Sequence, residues 1–368
     1  HVFTSSVGFS PESCEAGNRE GTRKRKTSLG KWHAGDQNLS IPREHSILKT
    51  PFTKGCIEDW FALEKVWEHA FRSLKAESDE WPVLCSISSS SSAKHCKSYA
   101  EMIFESFRSP MMYVEKAGTL AAYTSGRSNA LVCELNHSGV YVTPVVQGYV
   151  LNRSMKRGNE GGQWMCQETI RLLKENKAAV SLKSEEQRKC HPTFVKHWTE
   201  EIARDILLTY TNLTLSNEAI EESERASKYE LPDRTTIDIV PEIKQLAKQA
   251  FFSFPQPTNE PGTLARLCKE SIHSCDIDAR KELAANVVIT GGLSCFNGLP
   301  ERFAKEVADN LPPSYKFNLY CPSKLTRRFA AWIGGSILTS LSTFQPLWLS
   351  KTEYEELGVE RAVERMVT

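Results

Sequence analysis

Several groups of residues in this sequence carry side chains that could do chemistry. His137, within Asn136-His137-Ser138-Gly139, has the imidazole that usually carries protons near neutral pH. A working acid or base also needs a partner carboxylate or nucleophile, and none is identifiable by spacing, so a turn residue is the simpler reading. Cys190-His191 offers two donors that zinc accepts, but a tetrahedral site takes four and no second pair stands at ligand spacing. No catalytic group and no metal site is therefore assigned. The chain has 11 cysteines, scattered without a CxxC pair, and no apolar signal region precedes them. That pattern fits reduced thiols in cytosol or nucleus. Gly291-Gly292 follows the short apolar segment 286–290 and reads equally as a strand-end turn and as backbone brought close to a ligand. The basic run 23–26 reads as a solvated loop, with a nuclear-import or phosphate-contacting patch as the sharper alternative.

These residues need elements to position them. With 368 residues, 40% hydrophobic and 25% charged, the composition is that of a soluble globular chain with a sizeable core and room for two or three domains. Lys plus Arg number 46 against 45 Asp plus Glu, a net charge of +1. That balance excludes a global electrostatic attraction to nucleic acid or acidic membranes. No apolar run reaches the roughly 18 to 20 residues of a membrane span.

The first forty residues read as a strand followed by long exposed loops. In 58–74, Trp60, Leu63, Trp67, Phe71 and Leu74 recur at helical spacing, with Asp59 as N-cap. Met102, Ile103, Phe104 and Phe107 suggest a second helix ending before Pro110. The serines of 88–92 read as a flexible surface connection. Residues 116–123 form a short helix stopped by Gly126, then 130–135 and 140–146 read as strands around the His137 turn. A strand at 149–151 leads to Gly158, Gly161 and Gly162, after which 164–173 is helical. Residues 181–254 read as charged helices broken by a turn at 229–233, and 332–341 as an apolar helix opened by Gly334-Gly335.

Three segments together resemble the actin family. The longest runs through Cys275-Asp276-Ile277-Asp278-Ala279-Arg280-Lys281, Thr290-Gly291-Gly292, then Trp332-Ile333-Gly334-Gly335-Ser336-Ile337-Leu338 and on to Tyr354. Glu44-His45 with Glu58-Asp59-Trp60, Glu64-Lys65, Trp67, His69 and Phe71 is the second, Tyr123 with Ser125-Gly126-Arg127 the third, and Tyr229-Glu230-Leu231-Pro232-Asp233 is a fourth. The resemblance spans nearly the whole chain. It implies an α/β fold of the actin/Hsp70/sugar-kinase type, two ribonuclease-H-like domains around a central nucleotide cleft. By that resemblance residues 1–124 with 330–368 form the first domain, its outer lobe near 3–41. Residues 125–329 form the second, its outer lobe near 160–259. Pro42-Arg43-Glu44, the stretch 48–56 before Ile57-Glu58-Asp59-Trp60, and 271–278 are similar to the nuclear actin-related protein 4 class.

The resemblance also makes the cleft checkable residue by residue. The family's first phosphate hairpin is absent from this sequence, because Val2, Phe3, Ser5, Val7 and Gly8 match positions that follow it. The second aligns with Glu134-Leu135-Asn136-His137-Ser138, where the family places small and glycine residues against phosphate. The family's water-orienting glutamine falls on Ala117 and its helper histidine on Tyr141. Loss of such positioning removes part of the roughly 7 to 11 kcal/mol that orientation can contribute, so negligible ATPase activity is expected. Gly161, Gly291, Gly292, Phe296 and Arg328 match the base and ribose pocket, which leaves weak or structural ATP or ADP as the expected cofactor.

What remains for such a chain is binding. The family's apolar groove maps to Tyr123, Gly126, Ser128, Gly148, Tyr149, Leu338, Leu341, Thr343 and Leu347, a set suited to an amphipathic helix. Taken singly, Leu338 and Leu341 read equally as core of the terminal helix. For the nuclear class the resemblance implies a helix of a remodelling ATPase or acetyltransferase scaffold as partner, beside an actin monomer, with nucleosomes or histones nearby. A cytoskeletal protein that forms or caps filaments is the alternative, and a phosphotransferase of the same fold ranks third.

Overall fold

The computed structural model describes residues 5–11, 30–35, 39, 46–53, 55–91, 93–176, 191–214, 227–231, 234–252 and 263–367. The basic run 23–26, the segment 42–45 and Cys190 lie outside them. Two compact units emerge, residues 1–81 with 180–201 and residues 82–179 with 202–368.

In the first unit, β1 (Val7–Pro11) is the middle of an antiparallel sheet between β2 (Gly30–Ala34) and β3 (Ile47–Lys49). Alternation along β1 gives the sheet two covered faces. Val7 packs on Ala62 and Val66 of the Trp60–Leu74 helix, with Trp32, Ala34 and Trp67 around them. Leu48 of β3, with Leu39, meets Phe194 and Trp198 on the other face. Asp59 caps the helix as expected, its Oδ1 accepting from Ala62 N at 2.9 Å. The buried seam, however, is Ala62, Leu63 and Val66, and Leu74 is exposed at the helix end. A small hairpin, β4 (Phe52–Thr53) with β5 (Cys56–Ile57), precedes the helix.

The second unit holds two sheets. In the smaller, β6 (Val83–Ile87) runs parallel to β7 (Met111–Lys116), whose other edge takes a later strand from the chain's end. In the larger, β8 (Ala130–Asn136) pairs antiparallel with β9 (Gly139–Val146), and β10 (Tyr149–Val150) and β11 (Lys156–Gly158) both pair with β9. A two-stranded ribbon follows, β12 (Ser227–Glu230) with β13 (Thr236–Ile239). It corrects the helical reading of that region and the turn expected at 229–233, since Tyr229 and Glu230 belong to a strand: Ser-Lys-Tyr-Glu and Thr-Ile-Asp-Ile alternate at period two. Then β14 (Val287–Thr290) lies parallel to both β8 and β15 (Leu319–Tyr320). β16 (Leu349–Ser350) closes the smaller sheet against β7.

β8 is buried on both faces, as strands with parallel neighbours usually are. Leu131, Cys133 and Leu135 join the main core with Met165, Phe251, Phe303 and Ile289. Ala130 and Val132 face the opposite way, onto Ala121 and Ala122 of the Ala117–Thr124 helix and Ala330. That helix packs on the Ala330–Thr339 helix, and the contact explains Gly334: a Cβ there would stand 1.7 Å from the Leu120 carbonyl oxygen. Thr124 Oγ1 donates across the same joint to the Ala330 carbonyl at 2.7 Å.

Candidate functional site

The β8–β9 hairpin turns through His137 and Ser138, with Asn136 opposite Gly139. Its turn is packed backbone to backbone. A Cβ at Gly161 would lie 2.3 Å from Gly139 N, and one at Gly291 (φ +95°) 2.3 Å from the Leu135 carbonyl oxygen. The first turn of the Gly162–Glu175 helix donates Gln163 N to the His137 carbonyl at 2.7 Å. Donors and close approaches that could cradle an anion are here used to hold the hairpin.

Beneath the turn lies a polar lock. Period two turns Glu134 toward the Ala117–Thr124 helix, and its carboxylate is buried. Ser89 Oγ donates to Glu134 Oε2 at 2.6 Å and accepts from Gly118 N at 3.0 Å; Thr143 Oγ1 reaches the same carboxylate oxygen at 3.4 Å. Burial pushes the Glu134 pKa up, and the hydroxyl bonds only partly offset it. Ser89 therefore corrects the reading of 88–92 as a surface connection, since this serine is only 2% exposed. A run of identical serines carries no periodicity that would mark one of them as buried.

The remaining cleft residues have structural partners. Tyr141 is buried, with Ser138 Oγ 3.4 Å from its hydroxyl and the Arg157 guanidinium 5.3 Å from its ring centroid. Ala117 opens its helix beside Lys116, whose Nζ bonds Asn152 Oδ1. His137 sits at the surface of the turn; burial of its base and the nearby Arg204 lower its pKa. His191 Nδ1 pairs with Thr193 Oγ1 at 2.9 Å. Among the described residues no three His, Cys, Asp or Glu side chains come together to hold a metal ion.

The five residues expected around a nucleotide are only partly brought together. Gly161 and Gly291 meet at the hairpin, and Gly292 alone leaves a side chain's worth of open space. Phe296 is buried in the main core. Arg328 lies over Phe329 and lines a separate cavity beside β6. A side chain at Gly161 or Gly291 would run into hairpin backbone, so packing accounts for both glycines, and no chemical step follows from these five residues.

The residues expected to line a groove fall into a buried set and an exposed set. Leu338 is buried with Leu120, Phe344 and Trp348, and Tyr123 packs against that cluster. Above it Tyr149 is 66% exposed, Leu341 44% and Leu347 50%. Gly148 N donates to the Ser128 carbonyl at 2.9 Å. The left-handed Gly148 (φ +84°) brings backbone to the Tyr123 hydroxyl, where a Cβ would stand 2.8 Å away. Gly126 (φ +68°) and Thr343 are at the surface. Ile337, missed from sequence, is a further exposed apolar residue on the same helix as Leu338.

Comparison with known proteins agrees with this architecture. Actin-related protein 4 of Arabidopsis thaliana is 28% identical over 365 residues, covering 89% of this chain and 81% of the relative. The actin-related protein 4 sequences of Oryza sativa subsp. indica and subsp. japonica are each 30% identical over 374 residues, 91% of this chain and 81% of theirs. The family profile described as Actin matches residues 2–368. With an α/β fold of the actin type and a match over almost its whole length, the chain belongs to the actin family.

Proposed function

We propose that this chain is a non-catalytic actin-related subunit of nuclear chromatin-remodelling or histone-acetyltransferase complexes, of the actin-related protein 4 class. Its apolar groove takes a helix of the scaffold ATPase or acetyltransferase subunit, beside an actin monomer and near the nucleosome. The observation that carries this reading is the exposure of Tyr149, Leu341 and Leu347 over the buried Leu338, Phe344 and Trp348. A soluble protein seldom leaves large apolar side chains grouped in water without a use for them, and a groove of this make-up suits the apolar side of an amphipathic helix.

Hydrolysis has no part in the proposal. Ala117 offers no side-chain hydrogen bond to orient water, and Tyr141 is held by Ser138 and Arg157. ATP or ADP enters only as a weak or structural ligand from the side of Gly292. The nuclear location and the domain boundaries expected from sequence belong to the same proposal. The test is capture of a purified scaffold helix by the wild-type chain and by a variant carrying Leu341→Asp and Leu347→Asp. Capture by the first and not by the second supports the groove; undiminished capture by the folded variant removes it.

A further inference from the structure

β7 carries a carboxyl on the side of the apolar groove. Period two buries Met112 and Val114 behind the strand and turns Tyr113 and Glu115 the other way. Tyr113 shows which way that is. Its ring meets Phe344 edge-on with centroids 5.0 Å apart, and it packs on the cluster of Leu338, Phe344 and Trp348. Glu115, two residues further on, is partly buried on the same face.

Neutral donors hold this carboxylate. Lys116 N donates to Glu115 Oε1 at 2.8 Å, and the Tyr113 hydroxyl to Oε2 at 3.4 Å. The cation next in sequence is engaged elsewhere, since Lys116 Nζ bonds Asn152 Oδ1. Burial raises the Glu115 pKa, and the Lys116 N–H, Thr119, Tyr113 and the Lys116 charge oppose that rise. The same carboxylate acts on the tyrosines around it: burial first, then the Glu115 charge, raises the pKa of Tyr113 and of Tyr123, and Tyr149 adds to both. One acid therefore stands among three phenols beside an otherwise apolar surface.

A purely apolar helix laid over this surface would strip water from the Glu115 carboxylate and give nothing back, which is costly for a charge. A helix that brings an ammonium or guanidinium turns the same burial into a charge-assisted hydrogen bond. We propose that the groove selects a helix whose apolar side is interrupted by one lysine or arginine, which pairs with Glu115 while the apolar residues around it cover Tyr149, Leu341 and Leu347. This rests on the helix-binding reading of the groove and adds the charge that the partner must carry.

The probes are two blocked, fluorescently labelled helical peptides, each about five turns long, with leucine along one face. They differ only at the centre of that face, where one has lysine and the other norleucine, which is lysine without its ammonium. Each is titrated into the 368-residue chain and followed by anisotropy. The wild type should prefer the lysine peptide about tenfold. Glu115→Gln and Glu115→Ala, checked for folding by circular dichroism, should each abolish that preference. Leu341→Asp with Leu347→Asp should remove binding of the norleucine peptide. Equal or weaker binding of the lysine peptide by the wild type, or a preference that survives both Glu115 substitutions, overturns the pairing while leaving the groove as a helix site. Absence of binding by both peptides, or norleucine-peptide binding indifferent to the double substitution, overturns the groove and the pairing together.

Discussion

The hairpin cleft and the apolar groove lie in the same compact unit, and they treat unused space in opposite ways. At the hairpin, backbone has closed on backbone: Gly161 and Gly291 admit the hairpin itself, and Ser89 holds the buried carboxylate of Glu134. In the groove, a buried layer of Leu338, Phe344 and Trp348 supports a rim that nothing in the chain covers among the described residues. The comparison teaches that glycine packing and exposed apolar side chains can lie side by side in one unit. Tight packing marks what is needed for folding, and exposed apolar area marks what is left for association.

Substitutions should break this contrast in graded steps. Gly291→Ala forces a Cβ to 2.3 Å from the Leu135 carbonyl at φ +95°, and should cost about 3 kcal/mol or more in urea unfolding. The same change at Gly126, left-handed but facing open space, should cost roughly 1 kcal/mol. Equal losses at both would show that the hairpin is not the tighter region. Ser89→Ala leaves Gly118 N and Glu134 short of a partner and should cost about 1 to 3 kcal/mol.

The acid-base behaviour of the lock gives a sharper test with a defined sign. Because burial raises the Glu134 pKa above its unfolded value, the folded chain binds this proton more tightly than the unfolded chain. Its contribution to stability is therefore fully present below the unfolded carboxyl pKa and is lost as pH rises through the folded one. Glu134→Gln removes that loss, so the variant should gain on the wild type as pH rises from about 4. A stability difference that stays flat with pH would mean that Glu134 keeps its charge with no penalty. The smallest effect on folding belongs to the rim. Leu341→Asp with Leu347→Asp should change stability by no more than about 1 kcal/mol while removing helix capture.

Much of this was legible before the structure. The Trp60–Leu74 helix announces itself by spacing and by Asp59, and the hairpin by two β-rich runs around a four-residue turn sequence. At Gly291-Gly292 the strand-end reading has a physical reason, because Gly291 packs against the Leu135 carbonyl, while Gly292 faces open space. What sequence hides is burial that depends on distant partners. Ser89 is an ordinary serine until Glu134 and Gly118 are brought to it. Phe296 matches a base-pocket position yet packs inward with the main core. The β12–β13 ribbon was lost among charged residues, since four-residue polar strands barely differ from helix faces in composition.

The joint between the Ala117–Thr124 and Ala330–Thr339 helices sets a timetable for synthesis. Its hydrogen bond spans 206 residues of chain, so at about 5 to 20 residues per second the ribosome delivers the second helix roughly ten to forty seconds after the first. Through that interval Leu120 and its neighbours lack the surface that finally covers them. The nascent polypeptide should consequently depend on chaperones until the Ala330–Thr339 helix has emerged.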